Sequence, residues 1–85
     1  MKHAGAATLD ALEPLLEQLR ATSLFKEKSR GAFYRKSRAF LHFHEDPAGV
    51  FVDIRAEDGK DFERMLLDGE EAWDTLVAKA VERAR

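Results

Sequence analysis

The chain contains no cysteine, which excludes disulfide bonds and metal sites built from thiolates. Its apolar runs are far too short to span a bilayer, and the opening stretch MKHAGAATLD lacks the apolar segment of a signal peptide. Internal repeats and low-complexity tracts are also absent. These absences predict a protein with no membrane segment, and a cytoplasmic location follows as the default.

Length and composition predict one small domain over residues 1–85, with 45% hydrophobic and 35% charged residues. The net charge of −2 conceals an uneven distribution. Residues 1–44 hold eight Lys or Arg and four acids, whereas residues 45–85 hold six and twelve. This uneven distribution of charge predicts either complementary packing of the two halves or a locally basic surface.

The stretch AFLHFHEDPAGVFVDIR, residues 39–55, predicts a β-hairpin that organises the rest of the chain. Two runs rich in Phe, Val, Ile and Leu flank the segment Asp46-Pro47-Ala48-Gly49, which has the composition of a tight turn. The favoured register pairs Glu45 with Val50, because this pairing sorts apolar from polar side chains best. A three-residue loop with Gly49 in a bulge is the alternative, and it places both His side chains among the valines.

In the favoured register one sheet face is apolar, and the other combines aromatic, imidazole and charged groups. The apolar face carries Ala39, Leu41, Phe43, Val50, Val52 and Ile54. The opposite, polar-aromatic face carries Phe40, His42, His44, Phe51, Asp53 and Arg55.

Helical patterns flank the strands. Leu9, Leu12, Leu16 and Leu19 form one apolar stripe that predicts a first helix ending near Ala21, after a frayed terminus over residues 1–7. The segment LFKEKSRG is a connection that includes at most a short edge strand, and AFYR and residues 61–67 are further strands. A closing helix follows Asp68, which forms a capping box with Glu71. The prediction is a two-layer α+β fold, with a helix at each end of an antiparallel meander of three to four strands.

The order of these elements, with the strand pair AFYRKSRAFLHF and the ending RMLLDGEEAWDTLVAKAVERA, resembles the MmcQ/YjbR-like group of small bacterial proteins. The resemblance covers residues 9–84 in element order, and this chain is shorter than is usual for that group. It implies the same α+β fold and no particular activity.

A basic run between Lys26 and Arg38 interleaves cations with Phe33 and Tyr34. Cations and aromatic rings together are typical of phosphate and single-stranded nucleic-acid recognition, although a solvated strand face has the same composition. The candidate basic rim comprises Arg30, Tyr34, Arg35, Lys36 and Arg38.

His42 and His44 are two residues apart on one strand, so their imidazoles point to the same side, and Asp53 lies opposite His42. Two imidazoles and a carboxylate are able to hold a divalent metal or to transfer protons. The sequence therefore supports two hypotheses. The first is a non-enzymatic module without a cofactor that binds a partner, a phosphate-bearing molecule or a second copy through the polar-aromatic face or the basic rim. The alternative is a small metal-dependent or acid–base enzyme that uses His42, His44 and Asp53.

Overall fold

A computed structural model describes all 85 residues and contains three helices and six strands. The helices are α1 (Ala6–Ala11), α2 (Glu13–Ala21) and α3 (Glu70–Ala84). The strands are β1 (Lys2–His3), β2 (Lys26–Ser29), β3 (Ala32–Arg35), β4 (Arg38–Asp46), β5 (Gly49–Arg55) and β6 (Phe62–Leu66). The antiparallel order is β2-β3-β4-β5-β6, and β1 pairs with β4. The predicted α+β class, with N-terminal and C-terminal helices and an antiparallel sheet, is confirmed. The sheet has six strands and not the predicted three to four, because Lys2–His3 and Lys26–Ser29 also pair into it.

The hydrophobic core lies between the helices and one face of the sheet. Helix residues and alternate strand residues contribute to the same buried cluster. Its fully buried members include Leu15, Leu16, Leu19, Phe33, Leu41, Val52, Ile54 and Leu76. Burial of each such side chain contributes about 1.5–3 kcal/mol. Because all of the helices pack on this side, the other face of the sheet is left without a covering layer.

The central hairpin has the predicted register. Glu45 lies opposite Val50, His44 opposite Phe51 and His42 opposite Asp53. The Asp46 carboxylate accepts a hydrogen bond from the Ala48 amide at 3.1 Å, which closes the turn locally. Both imidazoles therefore project from the face opposite the core.

The N-terminal segment is ordered into the fold, so the prediction of a frayed terminus over residues 1–7 is wrong. Lys2 and His3 pair with Glu45 and His44 of β4. The Gly5 amide also donates to the Glu45 carboxylate at 2.6 Å, and α1 begins at Ala6. Strand β4 has a free edge here because its pairing with β3 ends at Leu41.

A bulge in β4 moves Phe40 into the core, which corrects its predicted place on the polar-aromatic face. Phe33 pairs with Leu41 while Tyr34 pairs with Ala39, so Phe40 is an extra residue on β4. Phe40 is 5% exposed, and its ring lies 4.9 Å from that of Phe25. The same bulge turns Ala39, which the sequence placed on the core face, towards the opposite face.

The first helical segment ends at Ala21, as predicted, but other helix boundaries differ from the predicted ones. The first helix breaks at Leu12, and Pro14 lies in the first turn of α2, where its missing N–H removes no helical hydrogen bond. Helix α3 begins at Glu70 after Gly69, and no side chain caps it, so the predicted capping box at Asp68 is wrong. No helix is long and apolar enough to cross a membrane.

Candidate functional site

The face of the sheet opposite the helices, here called the outer face, carries three imidazoles, two guanidinium groups and several apolar side chains. Pairing of β4, β5 and β6 places His44, Phe51 and Leu66 in one row and His42, Asp53 and Arg64 in the next. Arg55 and Phe62 form the following pair. Strand β1 adds His3 beside His44.

All three histidines of the chain meet on this face, and we call them the imidazole cluster: His3, His42 and His44. The His3 ring is stacked on that of His44, with centroids 4.8 Å apart. The His42 ring lies 4.8 Å from His44 and 5.8 Å from His3. Three imidazole rings are therefore gathered with their centroids within 5.8 Å of one another.

Asp53 is the only carboxylate that contacts the imidazole cluster, and Arg64 fixes its orientation. Arg64 donates to Oδ1 through Nε at 2.7 Å and to Oδ2 through its terminal nitrogen at 2.8 Å. The residue is only 9% exposed, so the carboxylate stands at the centre of the outer face and not at its border. A forked ion pair of this kind holds a carboxylate in one plane.

The imidazoles approach Asp53 without forming hydrogen bonds to it. Nε2 of His44 lies 3.3 Å from Asp53 Oδ2, and Nε2 of His42 lies 3.8 Å from the same oxygen. The His44 contact satisfies the distance of an ion pair, but its geometry does not fit a hydrogen bond. Both ring nitrogens of His44 are consequently buried without a hydrogen-bond partner. Buried polar atoms in folded proteins are usually paired, so this histidine has unused binding capacity.

The electrostatic environment favours the neutral form of His42 and the ionised form of Asp53. Burial, reinforced by the neighbouring His44, lowers the pKa of His42, although the Asp53 charge opposes this effect. Hydrogen bonds from Arg64 lower the pKa of Asp53, against the effect of its burial. At neutral pH the site thus offers the uncharged imidazole of His42 beside the negatively charged Asp53 carboxylate.

The other residues predicted for this face have different surroundings. Arg55 donates to the carbonyls of Ala39 and Lys60, and its guanidinium lies 4.3 Å from the centre of the Phe62 ring. Phe51 is half-buried, whereas Phe62 and Leu66 are 39% and 41% exposed. These three side chains form an apolar border beside the imidazole cluster. Self-association through this face stays a prediction.

The predicted basic rim is divided by the fold. Arg30 binds Asp10 and Glu13 at 2.7 and 2.8 Å, and the Arg30 and Arg20 guanidinium groups lower the pKa of Glu13 to about 2. Arg35 donates to the carbonyls of Leu24 and Ala84 on the helix side of the sheet. Arg38 donates to the Gly59 carbonyl. Tyr34 and Lys36 instead line a cleft at the opposite edge from β6.

Two residues of the site, His3 and Arg64, were not predicted from the sequence. His3 lies in a strand of two residues, which is too short to produce a periodic pattern. Arg64 shares a strand face with Phe62 and Leu66, and this face could be assigned to the outer side of the sheet only after β6 was paired with β5. A count of the histidines was the available signal for His3, because the chain has only three.

No protein-family profile, no curated protein and no solved structure matches this chain. The resemblance to the MmcQ/YjbR-like group therefore stays a prediction.

Proposed function

We propose that this protein is a small non-enzymatic binding domain that holds a divalent transition-metal ion at the imidazole cluster and Asp53. One observation carries the proposal. Two of the three histidines, His42 and His44, converge on the Asp53 carboxylate, and both ring nitrogens of His44 are buried without a hydrogen-bond partner. Unpaired imidazole nitrogen is a donor that zinc and its neighbours in the transition series prefer.

The distances within the cluster are close to those of a coordination site. Ligand atoms around a tetrahedral zinc ion lie about 3.3 Å apart, since each bond is about 2.0–2.1 Å long. Asp53 Oδ2 lies 3.3 Å from His44 Nε2 and 3.8 Å from His42 Nε2. Ligand atoms of the three residues all lie within 4.8 Å of one another. Modest rotation of the His42 and His44 rings would close the remaining distance. The His3 ring, stacked on that of His44, lies beside this group of ligand atoms.

The donor set selects among metals. Two or three imidazoles with one carboxylate suit zinc, copper, nickel and cobalt, whereas magnesium and calcium require oxygen ligands. The lowered pKa of His42 supports binding at neutral pH, because a metal ligand must be deprotonated. Arg64 opposes it, since its positive charge lies against the same carboxylate. We therefore expect moderate affinity, with zinc bound far more tightly than magnesium.

The same contacts disfavour the acid–base enzyme. In a catalytic dyad of the carboxylate–histidine type, the carboxylate accepts a hydrogen bond from the ring and thereby orients it. Asp53 receives its two hydrogen bonds from Arg64 instead, and neither His42 nor His44 donates to it. Both ring nitrogens of His44 have no hydrogen-bond partner, which leaves them available to a metal ion.

Titration calorimetry with zinc chloride tests the proposal on chelator-treated protein from which any affinity tag has been removed. We expect one ion per chain, and we expect His42→Ala, His44→Ala and Asp53→Asn each to weaken binding by at least about tenfold. Asp61→Asn is the matched control, because Asp61 is an exposed carboxylate in the loop before β6. The proposal is contradicted if the protein binds no zinc, or if Asp61→Asn weakens zinc binding as much as Asp53→Asn does.

A further inference from the structure

A second site lies at the β2 edge of the sheet, where β2 and the β3–β4 turn enclose a cleft of about 340 Å³. We call it the lysine cleft and define it by its polar lining residues, which are Ser23, Lys26, Lys28, Tyr34, Lys36 and Ser37. It is independent of the imidazole cluster in residues and in chemistry. Its volume is at the lower end of the range of small-molecule sites.

The charge of the lysine cleft is not neutralised within the protein. None of its three lysines forms an ion pair, whereas Lys2 and Lys79 elsewhere do. Glu27 of the same strand pairs with Arg20 on α2, so this acid does not face the cleft lysines. Three ammonium groups around one concavity attract an anion of more than one charge.

Backbone strain is concentrated at the same place. Only three residues other than glycine adopt positive φ, and they are Ser23 at 60°, Lys36 at 52° and Ser37 at 68°. All three line the lysine cleft. The left-handed conformation is unfavourable for residues with a Cβ, and such residues gather at ligand sites, where the geometry has a use. Glycine or asparagine is the usual residue at turn positions with positive φ, yet the β3–β4 turn has Lys36 and Ser37 there.

The side chains indicate which anion fits. Lys28 lies over the Tyr34 ring, with its Nζ 4.3 Å from the centroid, so this face of the ring is not free to stack on a nucleobase. Lysine ammonium groups and serine hydroxyls are instead typical donors to phosphate oxygens. We propose that the lysine cleft binds the polyphosphate group of a small ligand, either an inorganic polyphosphate or the phosphate chain of a nucleotide.

Tripolyphosphate is the probe, added to isotope-labelled, metal-free protein at low salt while backbone amide shifts are followed by NMR. We expect saturable binding whose largest shifts occur in residues 23–28 and 34–37. Lys28→Ala and Lys36→Ala should each weaken it about tenfold. Lys60→Ala is the matched control, because Lys60 is an exposed lysine without an ion pair in the β5–β6 loop. All three substitutions lie at the surface, and circular dichroism verifies that each variant is folded.

Comparison with other phosphates separates the sources of the ligand. Equal affinity for tripolyphosphate and ATP supports recognition of the phosphates alone, and tighter binding of ATP supports a nucleotide. Tighter binding of an oligothymidylate than of either small ligand overturns the proposal and assigns the surface to a nucleic-acid strand. An absence of saturation, or an equal loss of affinity in Lys60→Ala, overturns it as well.

Discussion

Arg64 donates to both carboxylate oxygens of Asp53 across the β5–β6 pair, at 2.7 and 2.8 Å. This ion pair determines how the outer face is able to bind a metal ion. It keeps Asp53 ionised among three imidazoles, and it also places a positive charge where a metal ion would be bound. The pair therefore makes the site available to a metal while limiting its affinity.

Substitution of Arg64 by Gln should tighten zinc binding. The change removes a cation from beside the metal position and frees Asp53 Oδ2, so we expect the dissociation constant to fall about tenfold. Titration calorimetry at neutral pH measures it. Arg38→Gln is the control, because Arg38 donates to the Gly59 carbonyl in another part of the fold. Weaker zinc binding in Arg64→Gln would contradict competition between Arg64 and the metal ion for Asp53. It would instead indicate that Arg64 orients the carboxylate for the metal.

The metal-free protein should lose stability as the pH falls from neutral to about 5.5. The pKa of His42 is lowered in the folded state, so the unfolded chain takes up a proton first as the pH drops. The stabilising contribution is complete above the unfolded-state pKa, near 6.5, and is lost below it. Thermal unfolding followed by circular dichroism should show a falling Tm, and the decrease should be smaller in His42→Gln. An equal decrease in the variant contradicts this assignment.

Phe40 should matter more to stability than Phe51, although both were predicted for the same face. Phe40 is 5% exposed in the core, so Phe40→Ala should cost about 3–5 kcal/mol, which is enough to unfold a small domain. Phe40→Leu is the milder variant and should still denature at a lower urea concentration than Phe51→Leu. If Phe51→Leu denatured at a lower urea concentration than Phe40→Leu, the result would contradict the burial of Phe40 by the β4 bulge.

The turn between β3 and β4 offers a stabilising substitution. Lys36 and Ser37 have φ angles of 52° and 68°, which are those of a type I′ turn. Ser37→Gly should stabilise the protein by about 0.5–1 kcal/mol, because glycine has no Cβ to oppose this conformation. Urea denaturation measures the effect. Ser29→Gly lies within β2 and should destabilise instead, and a gain in both variants contradicts the strain argument.

The sequence predicted the parts of the fold that have a strong local pattern. The hairpin register followed from the alternation around Asp46-Pro47-Ala48-Gly49, and it correctly placed His42, His44 and Asp53 on one face. The bulge at Phe40 was not predictable, because it arises from unequal pairing with β3 and leaves no mark in the alternation of β4.

The site was only partly predictable for a related reason. His3 reaches the cluster through two residues of β1, which pair with a free stretch of β4 created by the end of β3 pairing. No local pattern contains that information. Arg64 was equally hidden until β6 was placed beside β5, since an isolated arginine in a strand has many possible partners.

Native mass spectrometry of zinc-loaded protein tests the central claim most directly, because one spectrum counts both retained ions and chains. The proposed metal site predicts one zinc ion per chain in the unmodified protein and none in His44→Ala under identical conditions. Protein that retains no zinc, or a His44→Ala variant that retains as much as the unmodified chain, would contradict it.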